Sequence, residues 1–258
     1  MKRWIVFPLA VLMLWPASLA AQEDEAYSPT WWAVFSEQVA PANVAAFEES
    51  SAAMYEVIKA NAPDDMVYFT LSGPETGYMY AIPMDSYEQF MEIGQQWEGM
   101  VEQFGREKWM EMDAAGSKFV TSRSMALFTE RMDLSYAPEA PRLTMEAPMR
   151  HYDYLYPVPG KEQDLEAVMR EWIELYASQG VDSGWMVYQA FSGDDLPLYV
   201  IGTLAMDRGD YEADGDRLDE MFGEADDALY EKARSLLRKF EHKDAWFRPD
   251  LSLMPEEM

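Results

Sequence analysis

A chain of 258 residues with 47 acidic and 20 basic side chains carries a formal charge of −27. A surface of that sign repels nucleic acid and anionic membrane, because phosphate binding needs clustered Lys and Arg. It reads first as a means of solubility. With no cysteine, the chain forms no disulfide, no thiolate metal site and no lipid-anchored lipoprotein. Stability must come from a core, which 14% aromatic residues can supply.

The chain starts with Met1-Lys2-Arg3, an apolar run from Trp4 to Leu14, and the small-residue stretch Ala17-Ser18-Leu19-Ala20-Ala21. These are the three parts of a secretory signal. The run is too short to span a bilayer, which takes about 20 residues, and Pro8 and Pro16 interrupt it. Residues 1–21 are expected to be a signal peptide, cleaved after Ala20 or Ala21, leaving a soluble periplasmic or secreted product with no membrane span. Losing Lys2 and Arg3 leaves 18 bases against 47 acids, a charge of −29.

The remainder reads as one unit written twice. The first repeat, 27–136, opens with a strand over Trp31–Val39 and a turn at Pro41-Ala42-Asn43. A helix over Asn43–Asn61 follows, with Phe47, Met54, Val57 and Ile58 at helical spacing and Asn61 as the nearest stop. Strands over Met66–Leu71 and Tyr78–Met84 flank the turn Ser72-Gly73-Pro74. Ser86 and Gln89 read as a capping box for a helical region broken near Gly99. A strand over Lys118–Phe128 closes the repeat. Residues 137–148, with Pro138, Pro141 and Pro148, read as a semi-rigid linker.

The second repeat, 149–253, follows the same order. A strand over Met149–Pro157 and a turn at Pro159-Gly160-Lys161 lead into a helix over Glu162–Gln179, which Gly180 ends. Strands over Trp185–Phe191 and Leu198–Leu204, a helical region broken at Gly223 and a strand over Phe240–Phe247 complete it. Val67–Gly73 matches Val187–Gly193, Met84-Asp85 matches Met206-Asp207, and Arg131–Ser135 matches Arg248–Ser252, in order and at offsets of 117 to 122.

Each repeat is βαββαβ, the ferredoxin-like arrangement. Val67, Phe69 and Leu71 make one strand face apolar, and Tyr68 makes the other aromatic. A second buried face needs a second sheet, which the other repeat provides. In element order and duplication, 31–136 and 149–253 resemble the dimeric α/β-barrel superfamily: antibiotic-biosynthesis-monooxygenase-like, NIPSNAP-like and chlorite-dismutase-like proteins. The resemblance implies an α+β fold of two tandem repeats packed sheet to sheet as an intramolecular barrel, with a cavity inside it. It implies no reaction. Some of these relatives bind haem through a histidine on a helix. No predicted helix here contains a histidine, so no cofactor is expected.

The two histidines, His151 and His242, fall on the first and last strands of the second repeat. Each has an aspartate two residues on, on the same strand face: Asp153 and Asp244. Tyr152, Tyr154 and Tyr156 share the alternate face of the first of these strands. The repeats differ in polarity at three matched places: Ala33 against His151, Phe69 against Gln189 and Met125 against His242. The expected ligand-binding set is therefore His151, Asp153, Tyr188, Gln189 and His242, placed inside the barrel around a small apolar or aromatic ligand. The alternative is a cofactor-independent oxygenase-like enzyme using the same cavity. The 20 methionines read as core filling. Asp210, Asp214 and Asp216 lack the register of a calcium loop, so no metal site is expected. No hydrolase elbow, phosphate loop, dinucleotide fingerprint or zinc-protease motif is present, which leaves catalysis and oligomeric state open.

Overall fold

The computed structural model describes residues 30–73 and 76–254; the expected signal peptide, Pro74 of the first hairpin turn and the last four residues lie outside them. The first repeat runs β1 (Trp31–Val39), α1 (Val44–Asn61), β2 (Phe69–Ser72), β3 (Gly77–Met84), α2 (Gln89–Phe104), α3 (Arg106–Ser117) and β4 (Val120–Glu130). The second runs β5 (Met149–Pro157), α4 (Glu162–Gln179), β6 (Trp185–Ser192), β7 (Tyr199–Ala205), α5 (Arg208–Phe222), α6 (Glu224–Leu236) and β8 (Leu237–Phe247). The strands close into an antiparallel barrel in the order β1-β3-β2-β8-β5-β7-β6-β4, with the helices outside. This is the expected tandem ferredoxin-like α+β barrel.

Closure follows from strands that are apolar on both faces. Inside the barrel, Phe128, Tyr156, Leu198 and Val200 pack with Trp32, Val34, Tyr152, Tyr154 and Tyr188. On the outer face of the second repeat, Leu155, Val187 and Tyr199 pack against Leu165, Val168 and Met169 of α4. An isolated repeat would expose one such face and two strand edges; joining the sheets covers the face and pairs part of each edge.

The sheets meet at two seams, and neither is complete. β4 pairs with β6 only from Leu127 to Glu130, and β2 pairs with β8 only at Leu71–Phe247 and Ser72–Trp246. The N-terminal halves of β4 and β8 have no seam partner among the described residues.

The repeated Arg-x-Asp-Leu-Ser sequence crosses these seams. Val187 N–H donates to the Ser135 hydroxyl at 2.8 Å, and Thr70 N–H donates to the Ser252 hydroxyl at 2.8 Å. Arg131 N–H reaches Val187 O at 2.8 Å, and Arg248 N–H reaches Thr70 O at 2.9 Å. The side chains cross as well. Arg131 bonds Glu166 of α4 at 2.7 Å, and Arg248 bonds Glu48 of α1. Each repeat thus ends in a clasp on a helix of the other.

These contacts correct one expected equivalence. Arg131 and Arg248, Val187 and Thr70, and Tyr136 and Leu253 are related by a constant 117 residues. Ser72 pairs with Tyr78 as Gln189 pairs with Tyr199, so Gln189 is the counterpart of Ser72, not of Phe69. The matched runs Val67–Gly73 and Val187–Gly193 lie three residues out of structural register, because the second hairpin is longer. Ala33 with His151 and Met125 with His242 hold as counterparts: they occupy equal places in the β1·β4 and β5·β8 ladders.

Three local expectations also change. The break between α2 and α3 falls at Gly105, whose φ of 107° suits glycine, while Gly99 lies within α2. Asn61 does not adopt the left-handed stop; its side-chain amide donates to Val57 O at 2.8 Å, satisfying a helix-end carbonyl. Ser86 forms no cap, and Gln89 instead accepts from Asp85 N–H at 2.6 Å. Gly180 ends α4 as expected, with φ 62° and ψ 40°.

Candidate functional site

The duplicated scaffold has treated its two helix–sheet spaces differently. In the first repeat, a cavity of about 950 Å³ lies between the outer face of the sheet and the helices. Ala33, Phe35 and Ile82 form its floor, and Met54, Phe90 and Trp97 stand over them. Its polar end gathers Glu37, Tyr80, Ser51 and Arg123. Glu37 accepts from Arg123 Nε at 2.6 Å and from the Tyr80 hydroxyl at 3.5 Å. Burial, reinforced by the Glu37 charge, pushes the Tyr80 pKa up, so Tyr80 keeps its proton and offers a hydrogen-bond donor.

In the second repeat the corresponding space is occupied by large side chains. His151 stands where the first repeat has Ala33, and Tyr211 of α5 stacks on its ring at 4.1 Å. Tyr176 packs on Phe222 and on Trp185, both at 4.8 Å. Trp172 donates to Asp226 at 2.7 Å, and burial raises the Asp226 pKa.

His151 is 3% exposed and held at both nitrogens, with Nδ1 2.7 Å from Asp244 and Nε2 3.2 Å from Asp153. Asp244 also binds Arg208 of α5 at 3.0 Å. Burial pulls the His151 pKa down, but the bonds and charges of the two aspartates outweigh it and leave it above the usual histidine value. The cation is thereby favoured and locked, which suits a tie between β5, β8 and α5 better than a proton shuttle.

The expected ligand set is therefore divided. The β5·β8 ladder sets His151 opposite Asp244 and Asp153 opposite His242, all on the outer face, whereas Tyr152 and Tyr154 point inward. His242 stacks 5.9 Å from His151 and stands exposed at the rim of the barrel cavity. Gln189 also faces outward, bonded to Arg131 at 2.7 Å and to the Tyr199 hydroxyl at 3.2 Å. Only Tyr188 enters the barrel, edge-on to Trp32 at 6.3 Å. The expected interior placement of the polar set is corrected by strand alternation: one residue along a strand is the other face.

The barrel interior holds a second cavity of about 1930 Å³, extending to the unpaired halves of β4 and β8. Trp32, Phe69, Tyr152, Tyr154, Tyr188 and Phe247 line it, together with Arg150. Gly202 makes room for this aromatic wall, since a Cβ there would stand 3.0 Å from the Tyr152 ring. Arg150 was not singled out from the sequence; the signal available was a basic residue on an otherwise aromatic strand face.

No family model and no curated protein matches the chain. Solved structures do. An anthrone oxidase-like protein superposes with a TM-score of 0.60 at 14% identity, covering 90% of this chain and 95% of that one. A monooxygenase, so described provisionally, from Lactobacillus acidophilus gives 0.51 at 7% identity, over 88% and 97%. A variant chlorite dismutase from Candidatus Nitrospira defluvii gives 0.52 at 10% identity, over 86% and 92%. The fold is that of the dimeric α/β barrels.

Identity this low carries the fold of these barrels and no activity. A histidine-ligated haem does not fit this one. His151 has both nitrogens occupied by carboxylates, His242 lies on β8, and the first-repeat pocket has no histidine in its lining. Among the described residues no cluster of three metal-ligating side chains is present, and Asp210 and Asp214 bind Arg142 and Arg217 instead. No described helix is long and apolar enough to cross a membrane.

Proposed function

We propose that the chain binds a small, largely apolar or aromatic molecule in the helix–sheet pocket of its first repeat. The observation that supports this is the asymmetry: one space is filled by His151, Tyr211, Trp172 and Phe222, and its counterpart stays open at about 950 Å³, within the range of small-molecule sites. The apolar walls supply affinity, and the Glu37–Tyr80–Arg123 end orients a polar group on the ligand.

A second reading takes the same pocket as the site of a cofactor-independent oxygenase-like enzyme. The neighbours' descriptions as oxidase-like and monooxygenase support it. In that reading Glu37 accepts a proton from a phenolic or carbanion-forming substrate, and Tyr80 donates a hydrogen bond.

Gly94 of α2 lines the pocket, and a Cβ added there meets nothing within 4 Å. Gly94→Leu should narrow the pocket at its edge and, by helix propensity, hold or raise stability by up to about 1 kcal/mol. Binding of a neutral fluorescent probe, N-phenyl-1-naphthylamine, should fall at least tenfold. Unchanged binding would refute the assignment. Oxygen consumption with anthrone or quinol substrates, lost in Glu37→Gln, separates the oxygenase from a binding protein.

A further inference from the structure

The barrel interior poses a charge problem that the first-repeat pocket does not. The described residues include eleven arginines, and ten of them lie within ion-pair distance of a carboxylate. The eleventh is Arg150, which is also the most buried at 7% exposure. In a chain with 47 acidic residues, the most deeply buried guanidinium is the one with no carboxylate among the described residues.

Arg150 is braced. Its Nη1 donates to Ala147 O and, at 3.4 Å, to Met149 O, and its Nη2 donates to Met145 O. A guanidinium carries five N–H donors, so Nε–H and one Nη2 hydrogen have no partner among the described residues. Carbonyls fix the group in place without neutralising it. An uncompensated buried charge is costly, and burial accordingly lowers the Arg150 pKa, with only the Tyr152 and Tyr188 hydroxyls nearby to offset the effect.

The surroundings state what would complete it. Phe247 lies under the guanidinium at 5.7 Å. Tyr152, Tyr154 and Tyr188 bring hydroxyls with no hydrogen-bond partner among the described residues, and Trp32, Phe69 and Leu198 bring apolar area. Lys243, directly across the ladder from Tyr152, holds its ammonium 4.8 Å from the Tyr154 ring, on the same cavity wall. The incomplete seams leave an approach along β4 and β8.

We propose that the barrel cavity binds an aromatic carboxylate, with the carboxylate on the free N–H groups of Arg150 and the ring among Trp32, Tyr152 and Tyr188. A planar carboxylate matches the guanidinium fork, and Tyr hydroxyls complete its hydrogen bonds. This site is separate from the first-repeat pocket and independent of its occupancy.

The test uses the full chain carrying Gly94→Leu, which narrows the first-repeat pocket. Titration with 2-naphthoate and with its uncharged counterpart 2-naphthylmethanol should show the carboxylate binding at least tenfold tighter, with quenching of tryptophan fluorescence that is reduced in Trp32→Phe. Arg150→Met should erase the preference by weakening 2-naphthoate about 10- to 100-fold while leaving the alcohol within about twofold; Arg150→Lys should keep part of it. Equal affinity for both probes, or equal loss of both in Arg150→Met, overturns the proposal and leaves Arg150 as a brace for the carbonyls of Met145 and Ala147. If Arg150→Met does not fold, the wild-type ratio and Arg150→Lys decide: a ratio near one, or one unmoved by lysine, overturns it.

Discussion

The clasp between the repeats gives a stability prediction of definite size. Arg131 and Glu166 meet at 2.7 Å with side chains 21% and 15% exposed. Replacing Arg131 with Met removes that bond, the bond to Gln189 and the fork on Asp133. Glu166 is left in place, still bonded to the Tyr199 hydroxyl at 2.8 Å but without its main counter-charge. Truncating one partner of a fully buried pair costs about 3–5 kcal/mol; with a fifth of the guanidinium in solvent, about 2 kcal/mol is the discounted figure. For a domain of this size that lowers Tm by about 4–8 °C. Thermal unfolding of Arg131→Met, Glu166→Gln and the double variant should give a coupling energy of about 1–2 kcal/mol. Arg170→Met should cost less than about 1 kcal/mol, because Arg170 is half exposed. Strictly additive single effects would refute the clasp as an energetic unit.

Other predictions follow from the same geometry. His151 has a pKa raised by Asp153 and Asp244, so its contribution to stability is fully present below the ordinary histidine value near 6.5 and is lost as pH rises through the raised value. Denaturant midpoints should fall across that window in the wild type and flatten in His151→Asn; an unchanged slope refutes the role. The Asp133 carboxyl, held at about 2 by Arg131 and Arg170, has the opposite sign. Its contribution is present above the usual carboxylate range and is lost only as pH falls toward about 2, so Asp133→Asn should steepen no transition near neutrality. A Cβ on Gly184 would stand 2.5 Å from Tyr136 O, so Gly184→Ala should destabilise by about 2 kcal/mol or more, seen as a lower Tm; a neutral result would mean the backbone there yields freely. Export, proposed from Lys2-Arg3 and the apolar run that follows, predicts a mature N-terminus at Ala21 or Gln22 by mass spectrometry, and Met1 on the soluble protein would sink it.

Much of the fold was legible because strand and helix periods are local. β1, β5 and α4 fall where alternation, apolar spacing and Gly180 place them. β2 was expected from Met66, but it joins the ladder only at Phe69, since Tyr68 makes a lone bridge to Leu253 at the other end of the chain. Gly99 and Gly105 are alike as letters; only backbone geometry selects the one that turns. The site was less legible for a related reason. In a barrel whose strands are apolar on both faces, alternation shows that Tyr152 and His151 face opposite ways but not which way is in. Side-chain partners decide it: Asp244 and Tyr211 claim His151, and Arg131 claims Gln189. Arg150 escaped notice because its distinction is the lack of a carboxylate, which no sequence displays.

The clasps also bear on what the linker is for. Residues 137–148 are the covalent join, but Arg131–Glu166 and Arg248–Glu48 run from strand ends to helices and leave most of that segment out of the junction. The chain is then closer to a tethered heterodimer than to a single indivisible unit, and the tether's contribution is effective concentration. A proteolytic nick within 139–144 should leave both fragments together at micromolar concentration. Freed from the need to match itself across a two-fold axis, each repeat is able to change alone, one placing His151 and Tyr211 in its helix–sheet space while the other keeps Ala33 and a pocket.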